Sequence, residues 1–155
     1  MAKEIERKFL VKGDFRPYSS KQTYIVQGFL SSIPQRIVRV RLAGNKGFLT
    51  IKGQSNSAGL SRFEWEKEIG AAEARELLSI CEPELIEKIR HEVKVGNHVF
   101  EVDEFLGSNQ GLIIAEIELV SEDEDFEKPA WIGVEVSGVE KYYNSMLSKK
   151  PFGQW

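Results

Sequence analysis

The chain has 155 residues, of which 21 are Lys or Arg and 24 are Asp or Glu, giving a formal net charge of -3. That length supports one folding unit over residues 1–155 with a core that needs no disulfide or structural metal, and the single cysteine, Cys81, excludes an intrachain disulfide and a Cys-rich zinc site. The near-balanced charge gives no basis for a nucleic-acid or anionic-membrane partner, and with no leader pattern or membrane-length apolar run the expected address is the cytoplasm.

Glu4, Glu6 and Lys8 in EIERKF alternate with Ile5 and Phe9, the period of a strand with one charged and one apolar face. The alternation returns with Arg39 and Arg41 in IVRVRL. After the turn Gly44-Asn45-Lys46-Gly47 it continues through Leu49, Ile51 and Lys52. Residues 54–60, with serines, Asn56 and Gly59, read as a flexible loop, and Glu64 and Glu66 alternate with Phe63 and Trp65 beyond it. The spacing of Ala74, Leu77, Leu78 and Cys81 predicts a helix over Ala71–Cys81 ending before Pro83, with Cys81 an inert packed thiol. Lys88 and Arg90 in EKIRH come next. Glu101 and Asp103 follow the turn at Gly96-Asn97, and Glu116 and Glu118 follow Gly107-Ser108-Asn109; such turns favour antiparallel hairpins. The acidic run Glu122 to Glu127 is expected to be solvated rather than metal-binding. Ser137 and Glu140 form a capping-box pattern that predicts a second helix, with Val139, Tyr142, Tyr143, Met146 and Leu147 as its core-facing stripe. His91, next to Arg90, points away from the charged face, and His98 adjoins a turn, so neither is assigned to a site.

A solvated sheet face normally mixes its polar residues, whereas here the charges come in same-sign pairs on one face, an arrangement that is destabilising without a neutralising partner. If seven or eight strands curl so that these faces look at one another, the interior becomes polar and the apolar outer face is covered by helices. Two readings of that interior stay open: an ionic core that neutralises itself, and a site for a chain of phosphates with divalent cations. The second avoids the desolvation cost of the first, since carboxylates suit hard cations while arginine forks and lysines suit phosphate.

EIERK resembles the Glu-x-Glu-x-Lys signature of the CYTH superfamily, the triphosphate tunnel metalloenzymes. Arg39-x-Arg41, Thr50-Ile51-Lys52, Arg62-x-Glu64-x-Glu66, Lys88-x-Arg90, Glu101-x-Asp103, Glu116-x-Glu118 and Lys141-Tyr142-x-Asn144 follow in the family's order. The resemblance implies an α+β fold: an antiparallel eight-stranded β-barrel forming a tunnel, with helices packed outside. It implies a triphosphatase that needs Mg²⁺ or Mn²⁺ and takes a small-molecule triphosphate, inorganic triphosphate first, and it allows a homodimer. A class IV adenylate cyclase and a noncatalytic triphosphate sensor are the alternatives. By the same resemblance Glu4, Glu6, Asp103, Glu116 and Glu118 would ligate metal, and Glu64 and Glu66 would place a second ion or the attacking water. Lys8, Arg39, Arg41, Lys52, Lys88, Arg90 and Lys141 would contact phosphates, with Lys8 also catalytic. One departure stands out. Where close bacterial relatives tend to have Gln-Gly-Tyr, with a tyrosine proposed to pair with the motif lysine, this chain has Gln27-Gly28-Phe29 with no hydroxyl, and Tyr24 lies at the wrong parity to substitute.

Overall fold

The computed structural model describes residues 3–155. Its strands are β1 (Lys3–Val11), β2 (Ser19–Ile33), β3 (Arg36–Ala43), β4 (Lys46–Lys52), β5 (Ser61–Ile69), β6 (Ile86–Val95), β7 (His98–Phe105), β8 (Ile113–Glu118) and β9 (Ile132–Glu135), with helices α1 (Ala71–Leu78) and α2 (Asn144–Leu147). The strands pair antiparallel in the order β5-β4-β3-β2-β6-β7-β8-β1, and β1 pairs again with β5 through Lys3 to Phe63 and Glu4 to Arg62. That last pairing closes the eight-stranded barrel expected from the sequence, and β9 attaches to β1 beyond the ring. The predicted hairpin turns sit where their glycines allow: Gly44 and Gly96 both have φ of 59°, the left-handed conformation that a two-residue hairpin loop requires.

Closure puts the apolar positions on the outside, under two covers. Ala74 and Leu78 of α1 pack on Val40 of β3, with Cys81 half-buried at the edge of that cluster. On the opposite wall, Phe9, Val93, Phe100, Val102 and Ile117 are covered by Phe15 and Trp131 from the loops after β1 and before β9. Trp131 is 4% exposed, and Phe100 meets it edge-on at 5.4 Å. His91 faces this outer layer, against Phe15, so the sequence placed it on the correct side. The acidic run at 122–127 is loop, as expected.

A third apolar layer lies inside the barrel. Phe29 stands opposite Arg39 across β2 and β3, and Phe105 stands opposite Lys88 across β6 and β7, so both share the inward face with the charges. With Ile37, Ile86 and Ile114 they form a floor across one end of the tunnel, against which Leu147 of α2 is buried. The second helix therefore corrects the expectation in extent and place. The continuous helix predicted from Ser137 is replaced by a 3-10 turn (Glu140–Tyr142) and the four-residue α2, which seals the barrel end rather than its outer wall. Gly138 adopts φ of 74°, which breaks the chain away from a helix immediately after Ser137. The Ser137 hydroxyl accepts the Lys8 backbone N–H at 2.9 Å and donates to Glu135 at 2.7 Å, so it caps no helix.

Candidate functional site

Strand parity brings the sequence-predicted charges together inside the barrel. Glu4, Glu6 and Lys8 of β1, Arg39 and Arg41 of β3, Lys52 of β4, Glu64 and Glu66 of β5, Lys88 and Arg90 of β6, Asp103 of β7 and Glu116 and Glu118 of β8 all take the inward face, and the cross-strand registers align them. Lys141 does not join them. It is exposed, with its ammonium 4.5 Å from the Trp155 ring centroid, because the turn that carries it breaks out of the helix on which its tunnel-facing position depended.

Part of this charge is paired. Lys52 Nζ donates to both oxygens of Glu4 at 3.0 Å and lies 3.4 Å from Glu64, while Arg62 reaches Glu4 at 3.3 Å. Burial raises the Glu4 carboxyl, but Lys52 and Arg62 outweigh it and bring it to about 2. Glu64 moves the other way, to about 7, through burial and then the charge of ionised Glu4. Across the barrel, Arg90 grips Asp103 with two bonds of 2.8 and 2.9 Å, and Lys88 Nζ lies 2.9 Å from the same carboxylate. Lys88 is 1% exposed along its side chain, and its burial, with Asp103 opposing the shift and Arg90 and Arg41 adding to it, lowers the ammonium to about 7.

The remaining charge is only partly neutralised, and it divides by sign. Arg41 makes no ion pair among the described residues; its side-chain partner is the neutral Gln27, 3.0 Å from Nε. Burial, then the charges of Arg39 and Arg90, bring Arg41 down to about 9. Arg39 bonds Thr50 at 3.1 Å and lies 3.5 Å from Glu66, yet its Nε is a buried donor with no partner, the one such side-chain atom among the described residues. An unmet buried donor on a guanidinium costs on the order of 1–3 kcal/mol or more. The acids are crowded in turn: Glu6 stands directly opposite Glu118, and Glu116 opposite Glu101. Burial and the charges of Glu116 and Glu4 hold Glu6 well above the usual carboxylate range. Glu116 stays well below it, because Lys8 and Arg90 outweigh its burial and Glu6 supplies a hydrogen bond. The two form a carboxyl pair in which Glu6 keeps the proton.

No three ligating side chains are preassembled around one point among the described residues. The donor set nevertheless fits a hard divalent cation: it is all oxygen, it carries like charges in register, and an ion such as Mg²⁺ typically takes one or two carboxylates and fills its shell with water and phosphate oxygens. Among the described residues Glu6 and Glu118 pair with no cation and Glu116 has one long contact, 3.9 Å from Lys8, so these three are the acids least committed elsewhere. Glu4 and Asp103 are each held by two cations.

Phe29 is buried in the apolar floor and offers Lys8 nothing polar. The aromatic group beside Lys8 is instead Tyr143, whose ring centroid lies 5.3 Å from Nζ. Tyr24 points outward and donates to Glu87 at 2.8 Å, as its parity required. Residues the sequence left without a role also line the interior. Arg62 shares the inward parity of Glu64 and Glu66, so its place was readable; Tyr143 and Asn144 arrive from the closing segment, Asn144 as the end of the Lys141-Tyr142-x-Asn144 pattern and Tyr143 from the stripe expected to pack on the core.

A CYTH domain family model matches residues 2–151. The inorganic triphosphatase of Acetivibrio thermocellus is 48% identical over 153 residues, covering 98% of this chain and 97% of that protein. The inorganic triphosphatase of Nitrosomonas europaea is 35% identical over 149 residues, covering 94% and 96%. Among solved structures, that of the inorganic triphosphatase NE1496 superposes with a TM-score of 0.66 at 32% identity, covering 94% of this chain and 97% of that one.

Proposed function

The chain belongs to the CYTH domain family, and on that premise we propose that it is a divalent-metal-dependent triphosphatase that hydrolyses inorganic triphosphate to pyrophosphate and phosphate. The observation that carries this reading is the coexistence, in one tunnel, of arginines and carboxylates that the protein's own charges leave only partly matched. Arg39 keeps a buried, unmet Nε and Arg41 has only a neutral partner, while Glu6, Glu116 and Glu118 face other acids. A self-neutralised ionic core would have paired these groups with each other. A polyanion with a cation satisfies both sets together. The names of the two triphosphatase relatives support the same substrate.

In this reading Arg39, Arg41, Lys52, Lys88 and Arg90 grip the phosphate chain, and their positive charge holds its oxygens in the ground state and through attack on the terminal phosphorus alike. Glu6, Glu116 and Glu118 would hold Mg²⁺ or Mn²⁺, which supplies Lewis-acid polarisation of phosphate oxygens. Asp103 holds Lys88 and Arg90 in place. Glu4 and Glu64 touch the same lysine yet sit at about 2 and about 7, so one stays ionised while the other is poised near neutrality. Glu64 is thereby suited to take a proton from water as its oxygen bonds to phosphorus and the bond to the pyrophosphate oxygen breaks. Lys8, 3.9 Å from Glu116 and beside Tyr143, contributes charge without a tyrosine at position 29.

The test is release of phosphate from inorganic triphosphate, ATP and thiamine triphosphate, each with Mg²⁺ or Mn²⁺ and each repeated with EDTA. Turnover fastest on inorganic triphosphate and abolished by EDTA is the expected result. Cyclic AMP and pyrophosphate from ATP, or binding without turnover, would replace the hydrolase reading by a cyclase or a sensor.

A further inference from the structure

A line of polar side chains joins α2 to the tunnel. Arg41 Nε donates to Gln27 Oε1 at 3.0 Å, Gln27 Nε2 donates to Asn144 Oδ1 at 2.8 Å, and Lys88 Nζ donates to the same Oδ1 at 2.9 Å. The direction of every bond is fixed by chemistry. Arginine only donates, so Gln27 must turn its oxygen toward Arg41 and its NH₂ toward Asn144, and Asn144 must then offer its oxygen to Gln27, where Lys88 also donates to it. Gln27 and Lys88 are almost wholly buried, so flipping either amide would set donor against donor where water does not compensate.

The proposed chemistry uses neither amide, yet both ends of the line are phosphate-gripping cations. Asn144 shares the Lys88 ammonium with Asp103, and Gln27 is the one side-chain hydrogen-bond partner of Arg41 among the described residues. Bonding through Nε leaves the outer face of the Arg41 guanidinium free to fork onto phosphate. Neutral partners suit this place. A carboxylate in place of Gln27 would orient Arg41 but cancel its charge, and a carboxylate in place of Asn144 would put a second anion on Lys88 beside Asp103.

We propose that Asn144 and Gln27 are positioning residues that hold Lys88 and Arg41 in the geometry that grips phosphate, making α2 part of the binding machinery rather than a passive seal. The proposal rests on the triphosphatase reading for its substrate. The decisive variant is Asn144→Leu, similar in shape and without polar atoms, assayed with tripolyphosphate and the metal that supports wild-type turnover. The KM should rise about tenfold while kcat stays within about threefold, because misplaced cations weaken ground state and transition state alike. Gln27→Leu should give the same pattern, and the double variant should add little to the larger single effect, since both act through one line. A purely structural role would instead shrink the active fraction and lower kcat at constant KM, and that result, or a KM within twofold of wild type, overturns the proposal.

If Asn144→Leu shows no cooperative melting, Asn144→Ser, whose hydroxyl is too short to reach Lys88, is read by the same split. If the wild type does not turn over tripolyphosphate, the hydrolase reading fails on its own and calorimetric binding of tripolyphosphate replaces KM. Binding about tenfold weaker in Asn144→Leu then supports the positioning role; equal binding, or none by the wild type, overturns it.

Discussion

Replacing Glu6 by glutamine should strengthen the fold while ending the chemistry. Glu6 lies directly opposite Glu118 and beside Glu116, and its carboxyl is held well above the usual carboxylate range by burial and by the charges of Glu116 and Glu4. An acid raised in the folded state binds more protons there than in the unfolded chain. Stability is therefore lost as pH climbs from the usual carboxylate value through the raised one, and the cost is complete above it. Glutamine keeps the shape and removes the charge. Relief of opposed like charges is worth about 1 kcal/mol. With an unfolding entropy of roughly 0.33 kcal/mol/K for 155 residues, that is a rise in Tm of about 3 °C. Melting followed by circular dichroism over a pH series in EDTA reads the gain, which should grow as the wild-type carboxyl loses its proton and vanish at pH 4, where Glu6 already carries it. Phosphate release from tripolyphosphate with Mg²⁺ should fall at least about 100-fold, since even the outer partners of metal ligands cost 10–100-fold when lost. A Tm several degrees below wild type would refute the uncompensated charge, and unchanged activity would refute Glu6 as a ligand.

Lys52→Met has the opposite sign on stability. Its ammonium bonds both Glu4 oxygens at 3.0 Å in a site where both side chains are 8% exposed, so its loss strands a buried carboxylate and should cost about 3 kcal/mol, or about 9 °C in Tm. Glu4→Gln in the same background should restore part of it, and a drop under about 2 °C would show that Arg62 alone suffices. Because Glu4 is depressed from 4.5 to about 2, its contribution is whole above pH 4.5 and lost as pH falls toward 2, so the wild type should lose more stability across that range than Lys52→Met. At pH 8 Lys88, lowered to about 7, is largely neutral; a bound polyanion favours its charged form, so tripolyphosphate binding should take up to about one proton. Calorimetry in two buffers of different ionisation enthalpy measures this, and identical heats would refute it.

The barrel was legible in the sequence because seven of its strands announce themselves by charge alternation, and parity alone puts Glu4 and Arg90 on the same side of the wall. β2 shows the limit of that signal. Its inward residues Ile25, Gln27 and Phe29 are neutral, so the longest strand carries no charged pair to mark it. Parity also says which face a carboxylate takes but not what it meets there: Asp103 and Glu116 are equivalent by pattern, yet Asp103 is locked by two cations while Glu116 accepts a hydrogen bond from Glu6. The closing segment was read least well, since its capping-box pattern is local whereas Gly138 and the bond from Lys8 to Ser137 are tertiary. Lys141 was lost with that helix, and Asn144 entered the site through it.

Curling the sheet does more than hide its charged face. On an open sheet Arg39 and Arg41 would be solvated, and their repulsion screened to little. Inside the barrel water is displaced before partners are supplied, which is why Arg39 retains an unmet donor and Glu6 holds on to its proton. The wall tolerates this because its outer face is packed independently on α1 and on the Phe15–Trp131 layer, neither of which depends on how the interior charges are satisfied. Local rules fail where function is expected, and here they fail on both signs within one tunnel. Evolution toward a more stable protein would have a short route, neutralising Glu6 or Arg41. On the proposed function, the same step would remove the unmatched charge that a phosphate chain and its metal require.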